Sequence, residues 1–88
     1  MYFVYMIKNS ADKLYVGITD NPERRLQEHN TERGAQFTSH IPTYKLAFLE
    51  PYPTLAEARK REIQIKNWRR EKKEFLIARY RAVLGTKL

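Results

Sequence analysis

The chain has no cysteine, which removes disulfides and thiolate metal sites and leaves it compatible with a reducing cytoplasm. Its two histidines, His29 and His40, stand at no spacing that pairs metal ligands, so a zinc site is not expected. No apolar run approaches the length of a membrane span, and Met1-Tyr2-Phe3-Val4-Tyr5 lacks the charged opening and long apolar region of a signal peptide. Only three glycines are present, with no glycine-rich phosphate loop and no Gly-x-Ser-x-Gly elbow. No repeat, low-complexity segment or second domain is evident. These absences leave one soluble, cytoplasmic domain of 88 residues with no membrane partner, long enough to fold alone around a modest core.

What is present is organised around residues 14–29. Leu14-Tyr15-Val16-Gly17-Ile18-Thr19 reads as a strand, with Val16 and Ile18 on one face and Tyr15, Gly17 and Thr19 on the other. A glycine inside a strand marks a bulge or a close approach by another group. Asn21 then caps a helix expected over 22–30, with Pro22 at its first position, where no backbone N–H is needed. Arg25 and His29 are four apart and share a face of that helix. A tyrosine, an arginine and a histidine therefore converge at one strand–helix corner.

Before this corner, residues 2–9 alternate as a strand, and the polar turn Ser10-Ala11-Asp12-Lys13 makes the two strands a hairpin. After it comes a connection over 31–43, long for so small a domain. A third strand is expected over 44–49, closed by Glu50-Pro51-Tyr52-Pro53. The capping box Thr54-Leu55-Ala56-Glu57 opens a helix over 55–69. A last helix over 71–84 carries Leu76, Tyr80 and Val83 as an inward stripe. The order β-β-α-β-α-α implies an α+β domain, a small three-stranded, mostly antiparallel sheet flanked by helices.

One carboxylate is out of place. Leu55, Ala58, Ile63 and Ile65 define the packing face of their helix, and Glu62 falls inside that arc. A buried carboxylate is costly unless it is paired or holds a metal. Either Glu62 forms a salt bridge to Arg59, Lys66 or Arg25, or it borders a cleft as a metal ligand or acid/base. Tyr5 likewise packs in the core with Phe3 and Ile7 or serves a site, while Arg25 pairs with Glu28 and His29 caps its helix in the plainest reading. The charge points outward. Residues 1–58 hold six Lys/Arg against seven Asp/Glu, and residues 59–88 hold eleven against three, for a net +7. Such an excess fits a polyanionic partner, nucleic acid above all, or a solvated basic helix face.

Phe3-Val4-Tyr5, Tyr15-Val16-Gly17, Arg25 and a glutamate on a later helix, in this order and at these distances, resemble the GIY-YIG nuclease domain. Gly17-Ile18-Thr19, Glu28-His29-Asn30 and Glu62-x-x-Ile65-Lys66 look closest to its small stand-alone bacterial members, similar to the incision subunit of nucleotide-excision DNA repair. The resemblance implies metal-dependent hydrolysis of a nucleic-acid phosphodiester, DNA recognised by structure or backbone, with magnesium (Mg2+) or manganese (Mn2+) as cofactor. It implies catalytic roles for Tyr5, Tyr15 and Arg25, a further active-site polar group in His29, and the metal ligand in Glu62. Arg24, Lys66, Arg69 and Arg70 would then contact the nucleic acid. Phe3 replaces a motif glycine, and Ile18 stands where the repair nucleases carry a lysine. No appended DNA-binding domain is evident, so a protein partner could supply targeting. The alternatives are a nucleic-acid-binding module on the same fold with little cleavage, and an adaptor whose basic helices dock an acidic protein. The nuclease reading makes a geometric demand: Tyr5 and Tyr15 must project from one sheet face, which requires paired residue numbers with an even sum.

Overall fold

The computed structural model describes residues 1–37 and 43–86, the side chains of 32–37 excepted. Its elements follow the expected order: β1 (Tyr2–Asn9), β2 (Leu14–Thr19), α1 (Pro22–Phe37), β3 (Tyr44–Tyr52), α2 (Leu55–Lys66) and α3 (Arg70–Arg81). The sheet runs β2-β1-β3 and is antiparallel throughout. Among the described residues no helix is long and apolar enough to cross a membrane.

The hairpin turn sets the register. Asp12 N–H donates to Asn9 O at 3.0 Å, Asn9 N–H donates to Lys13 O at 3.1 Å, and Asp12 has φ 67°. A turn followed by one left-handed residue is the three-residue hairpin loop, and aspartate is among the few side chains that tolerate that conformation. Lys8 consequently pairs with Leu14, Ile7 with Tyr15 and Tyr5 with Gly17. The sums are even. Tyr5 and Tyr15 stand on the same face.

Each face of the sheet meets helices. Val4, Met6, Val16, Ala47 and Phe48 pack against Ala58 and Ile65 of α2 and Leu76 and Ile77 of α3. Tyr5, Ile7 and Tyr44 form a smaller cluster on the other face, where Leu26 of α1 and Leu49 join them. The caps behave as their residues dictate. Asn21 Oδ1 accepts from Arg24 N–H at 3.1 Å, and Thr54 Oγ1 accepts from Glu57 N–H at 3.2 Å.

Several boundaries differ from expectation. α1 continues past Asn30 to Phe37, so most of the expected connection is helix, and residues 38–42 lie outside the described residues. α2 stops at Lys66 and α3 begins at Arg70. β3 runs on to Tyr52 despite Pro51, which is tolerated because β3 is an edge strand. The packing faces also shift. Leu55 and Ile63 are exposed, and α2 instead buries Ala58, Arg61, Glu62 and Ile65. On α3, Leu76 is buried with Ile77 and Tyr80 packs edge-on to Phe48, but Val83 is 92% exposed.

Val83 lies beyond the helix with φ 57°. Leu84 N–H donates to Arg79 O at 2.8 Å and Val83 N–H to Tyr80 O at 3.1 Å, a Schellman termination that normally places glycine at this position. A β-branched residue in that conformation costs about 1–2 kcal/mol. Val83→Gly is therefore expected to stabilise the fold by about 0.5–1 kcal/mol once glycine's larger chain entropy is counted. Thermal unfolding reads this directly, as a midpoint several degrees higher; an unchanged or lower midpoint would mean the valine is unstrained.

Arg61 is the charged residue that the packing face was not expected to contain. Its Nε donates to Glu50 Oε1 at 2.8 Å, Nη1 to Gln64 Oε1 at 2.7 Å and Nη2 to Thr86 O at 2.7 Å. Tyr52 and Thr86 hydroxyls also donate to Glu50, at 2.6 and 2.7 Å. Burial pushes the Glu50 carboxyl up, but the bonds from Tyr52, Thr86 and Arg61 outweigh it and hold its pKa below the usual range. A depressed folded-state pKa gives stability that is present above about pH 4.3, the unfolded value, and is lost as pH falls through the folded one. Acid unfolding should begin there. Glu50→Gln is expected to flatten that acid limb of stability against pH, and an unaltered limb would assign acid sensitivity elsewhere.

Candidate active site

The corner where β2 passes into α1 assembles four of the singled-out residues. Tyr5 comes from the central strand and is 3% exposed; Tyr15 comes from the edge strand and is 41% exposed. Their rings stack with centroids 6.3 Å apart. His29 enters from α1, edge-on to Tyr15 at 4.7 Å and to Tyr5 at 6.1 Å. Its Nε2 lies 3.1 Å from the Tyr5 hydroxyl.

Gly17 makes this arrangement possible. A Cβ there would lie 2.6 Å from the Tyr5 oxygen and 2.7 Å from Cζ. Only hydrogen fits. The expected close approach is thus the Tyr5 ring itself, laid across its paired residue on β2.

Arg25 pairs with Glu28 at 3.2 Å, as the plain reading had it, and both tyrosines favour its charged form. The bonds to Tyr5 and Glu28 fix its positive charge and raise its pKa further. Burial raises the Tyr5 pKa; Arg25 opposes the shift, and the charges of Tyr15 and Glu62 add to it. Tyr5 is therefore a protonated phenol at neutral pH. The Tyr5 hydroxyl and His29 Nε2 share one hydrogen bond, whose direction follows the histidine tautomer.

Two residues given no site role from the sequence stand beside His29: Asn30 next in the chain and Tyr44 on β3. Asn30 Oδ1 accepts from Tyr44 N–H at 2.8 Å and Asn30 Nδ2 donates to Tyr44 O at 3.1 Å. The amide thereby completes the start of β3 as another strand would. The Tyr44 ring closes the third side of His29 at 6.1 Å. The residue after His29 was the one available sign.

Glu62 on α2 is 9% exposed, its charge is felt at Tyr5, and Lys66 Nζ stands 3.3 Å from its Oε2. Among the described residues no three His, Cys, Asp or Glu cluster as a metal cage. A lone carboxylate suits a hard ion that keeps most of its waters, as magnesium does, and not a closed zinc site. Of the basic residues expected at nucleic acid, Arg24 pairs with Asp20 at 3.1 Å and Arg70 with Asp12 and Glu74 at 3.0 and 2.8 Å. Arg69 is the exposed N-cap of α3.

Residues 1–74 match the family model described as the GIY-YIG catalytic domain. A UPF0213 protein of Staphylococcus aureus is 40% identical over 76 residues, 86% of this chain and 93% of its own. The solution NMR structure of the UPF0213 protein from Bacillus halodurans aligns with TM-score 0.57 at 29% identity, over 89% of this chain and 84% of that one. A solution NMR structure of a protein from E. faecalis aligns with TM-score 0.65 at 30% identity, over 92% and 86%. The names of these relatives state no activity, whereas the family model points to nuclease-type chemistry. On the matched length and the shared sheet and helix order, this chain belongs to the GIY-YIG catalytic domain family.

Proposed function

We propose that this chain, read as one domain, is a divalent-metal-dependent nuclease that hydrolyses DNA phosphodiesters by recognising backbone and shape. The observation that carries the reading is His29 enclosed by Tyr5 and Tyr15, with its Nε2 3.1 Å from the Tyr5 hydroxyl. Glu62 would hold magnesium (or manganese), which when bound supplies charge to polarise the phosphate and stabilise the leaving oxygen. Arg25 keeps donors beyond those its neighbours use and binds the phosphate as charge builds on it. Tyr15, the more exposed ring, orients the attacking water. Tyr5 takes the water's proton while passing its own to His29 Nε2. One P–O bond forms to the water oxygen, the P–O bond to the sugar breaks, and the departing oxygen takes a proton from solvent. Lys66 and Arg69 track the backbone; Arg24 and Arg70 join only by leaving their carboxylate partners.

The test is cleavage of labelled single-stranded, duplex and branched DNA with magnesium, comparing wild type with Tyr15→Phe. Loss of about 10²–10⁴-fold in rate is expected for the variant, the range that positioned proton-handling groups contribute. Equal cutting by both would remove the tyrosine site. Salt-sensitive binding without cutting by wild type would leave a nucleic-acid-binding module.

A further inference from the structure

The Glu62 side chain is 12% exposed and that of Lys66 is 51% exposed, so the pair joins a nearly buried carboxylate to a lysine half in solvent. The lysine reaches the carboxylate from the solvent side. Their order suits a helix, with glutamate four residues before lysine. Lys66 is also the last residue of α2, where the helix's negative end favours a cation. Arg25 is engaged by Glu28 at 3.2 Å. Lys66 is therefore what neutralises Glu62 in the protein without metal.

An ammonium and a divalent ion cannot share one carboxylate oxygen, because two positive charges would then stand in contact. We propose that Lys66 is a placeholder cation: it occupies Glu62 until the divalent ion arrives, is displaced by it, and then takes a DNA phosphate at the mouth of the site. The inference rests on the nuclease reading and adds to it a substrate contact that exists only in the metal-loaded protein. The long lysine stem permits the swing, since half of the side chain is already in solvent. Metal and DNA then assist one another, each raising the other's affinity by the same factor. A plain surface ion pair would open and close without regard to metal.

The test uses DNA duplex binding, followed by fluorescence anisotropy across a potassium chloride series, in magnesium and in EDTA. A Tyr15→Phe background keeps the DNA intact, and Lys66→Ala is compared with Lys66 in it. Each phosphate contact contributes about 0.9 to the slope of log affinity against log salt on duplex DNA. Lys66→Ala is expected to reduce the slope by about 0.9 in magnesium and to leave it unchanged in EDTA. An equal reduction in both conditions, or none in either, overturns the proposal. A second measurement needs no DNA. Manganese binding, followed by the electron paramagnetic resonance of the free ion, is expected to tighten roughly threefold in Lys66→Ala and to be lost in Glu62→Gln. Glu62-dependent binding of unchanged affinity in Lys66→Ala would end the placeholder role and leave the nuclease reading standing. Binding indifferent to Glu62 would overturn the metal assignment and the placeholder together.

Discussion

Glu62→Gln is expected to lower magnesium-dependent cleavage by about 10³-fold or more while DNA binding stays equal or slightly tighter. The substitution keeps shape and removes charge, so a Lewis-acid contribution of several kcal/mol disappears with the ion. Lys66 loses its partner and becomes available to phosphate, which explains why binding should not weaken. Folding should survive, because an i,i+4 pair contributes only about 0.3–0.5 kcal/mol even when well formed. Circular dichroism and thermal melting check that point independently. If the variant cuts within tenfold of wild type, Glu62 is not the ligand and the metal sits elsewhere.

Gly17→Ala is expected to damage both stability and cleavage. The new methyl would stand 2.6–2.7 Å from the Tyr5 oxygen and Cζ, and that ring is walled in at 3% exposure. Either the ring or the β1–β2 pairing must shift, at about 1–3 kcal/mol for an overpacked site. A displaced Tyr5 also leaves His29 Nε2, so cleavage should fall with stability. Tyr5→Phe should lose the same proton path by a different route. The two changes should therefore be non-additive in rate: the double variant is expected to be little worse than the poorer single one. Melting temperature and single-turnover rate on the two single variants and the double decide it. Strict additivity would mean that Gly17 acts through something other than the ring it faces.

The strands and helix starts were legible because local chemistry decides them. Asn21 before Pro22 and Thr54 before Glu57 specify helix starts with atoms only two or three residues apart. The hairpin register was legible only as a demand, since Asp12 had to adopt φ 67° for the sums to be even. The face of α2 was misread for a clear reason. Two of its four buried side chains, Arg61 and Glu62, are charged, and hydropathy assigns such residues to solvent. Glu62 announced itself by interrupting an apolar arc. Arg61 gave no such sign, because its carboxylate partner Glu50 comes from β3, eleven residues earlier. The pairing of the Asn30 amide with the Tyr44 backbone was not legible, because it has no periodicity to betray it. Tyr5, Tyr15 and His29 were singled out through spacing and resemblance, and the register and α1 bring their rings together at one corner.

β1 comes first in the chain and lies in the middle of the sheet, and this ordering has a consequence in time. The β1–β2 hairpin closes a three-residue loop, an event on the order of microseconds. Pairing of β1 with β3, and the docking of α2 and α3 that follows, must close far longer stretches of chain and comes later. A half-assembled molecule would therefore already hold its two tyrosines side by side with no carboxylate near them. Pulsed hydrogen exchange during refolding that protected α2 before the hairpin would refute this order. If the order holds, Glu62 joins the tyrosines only when the last helices dock, so any activity that needs both waits for the end of folding.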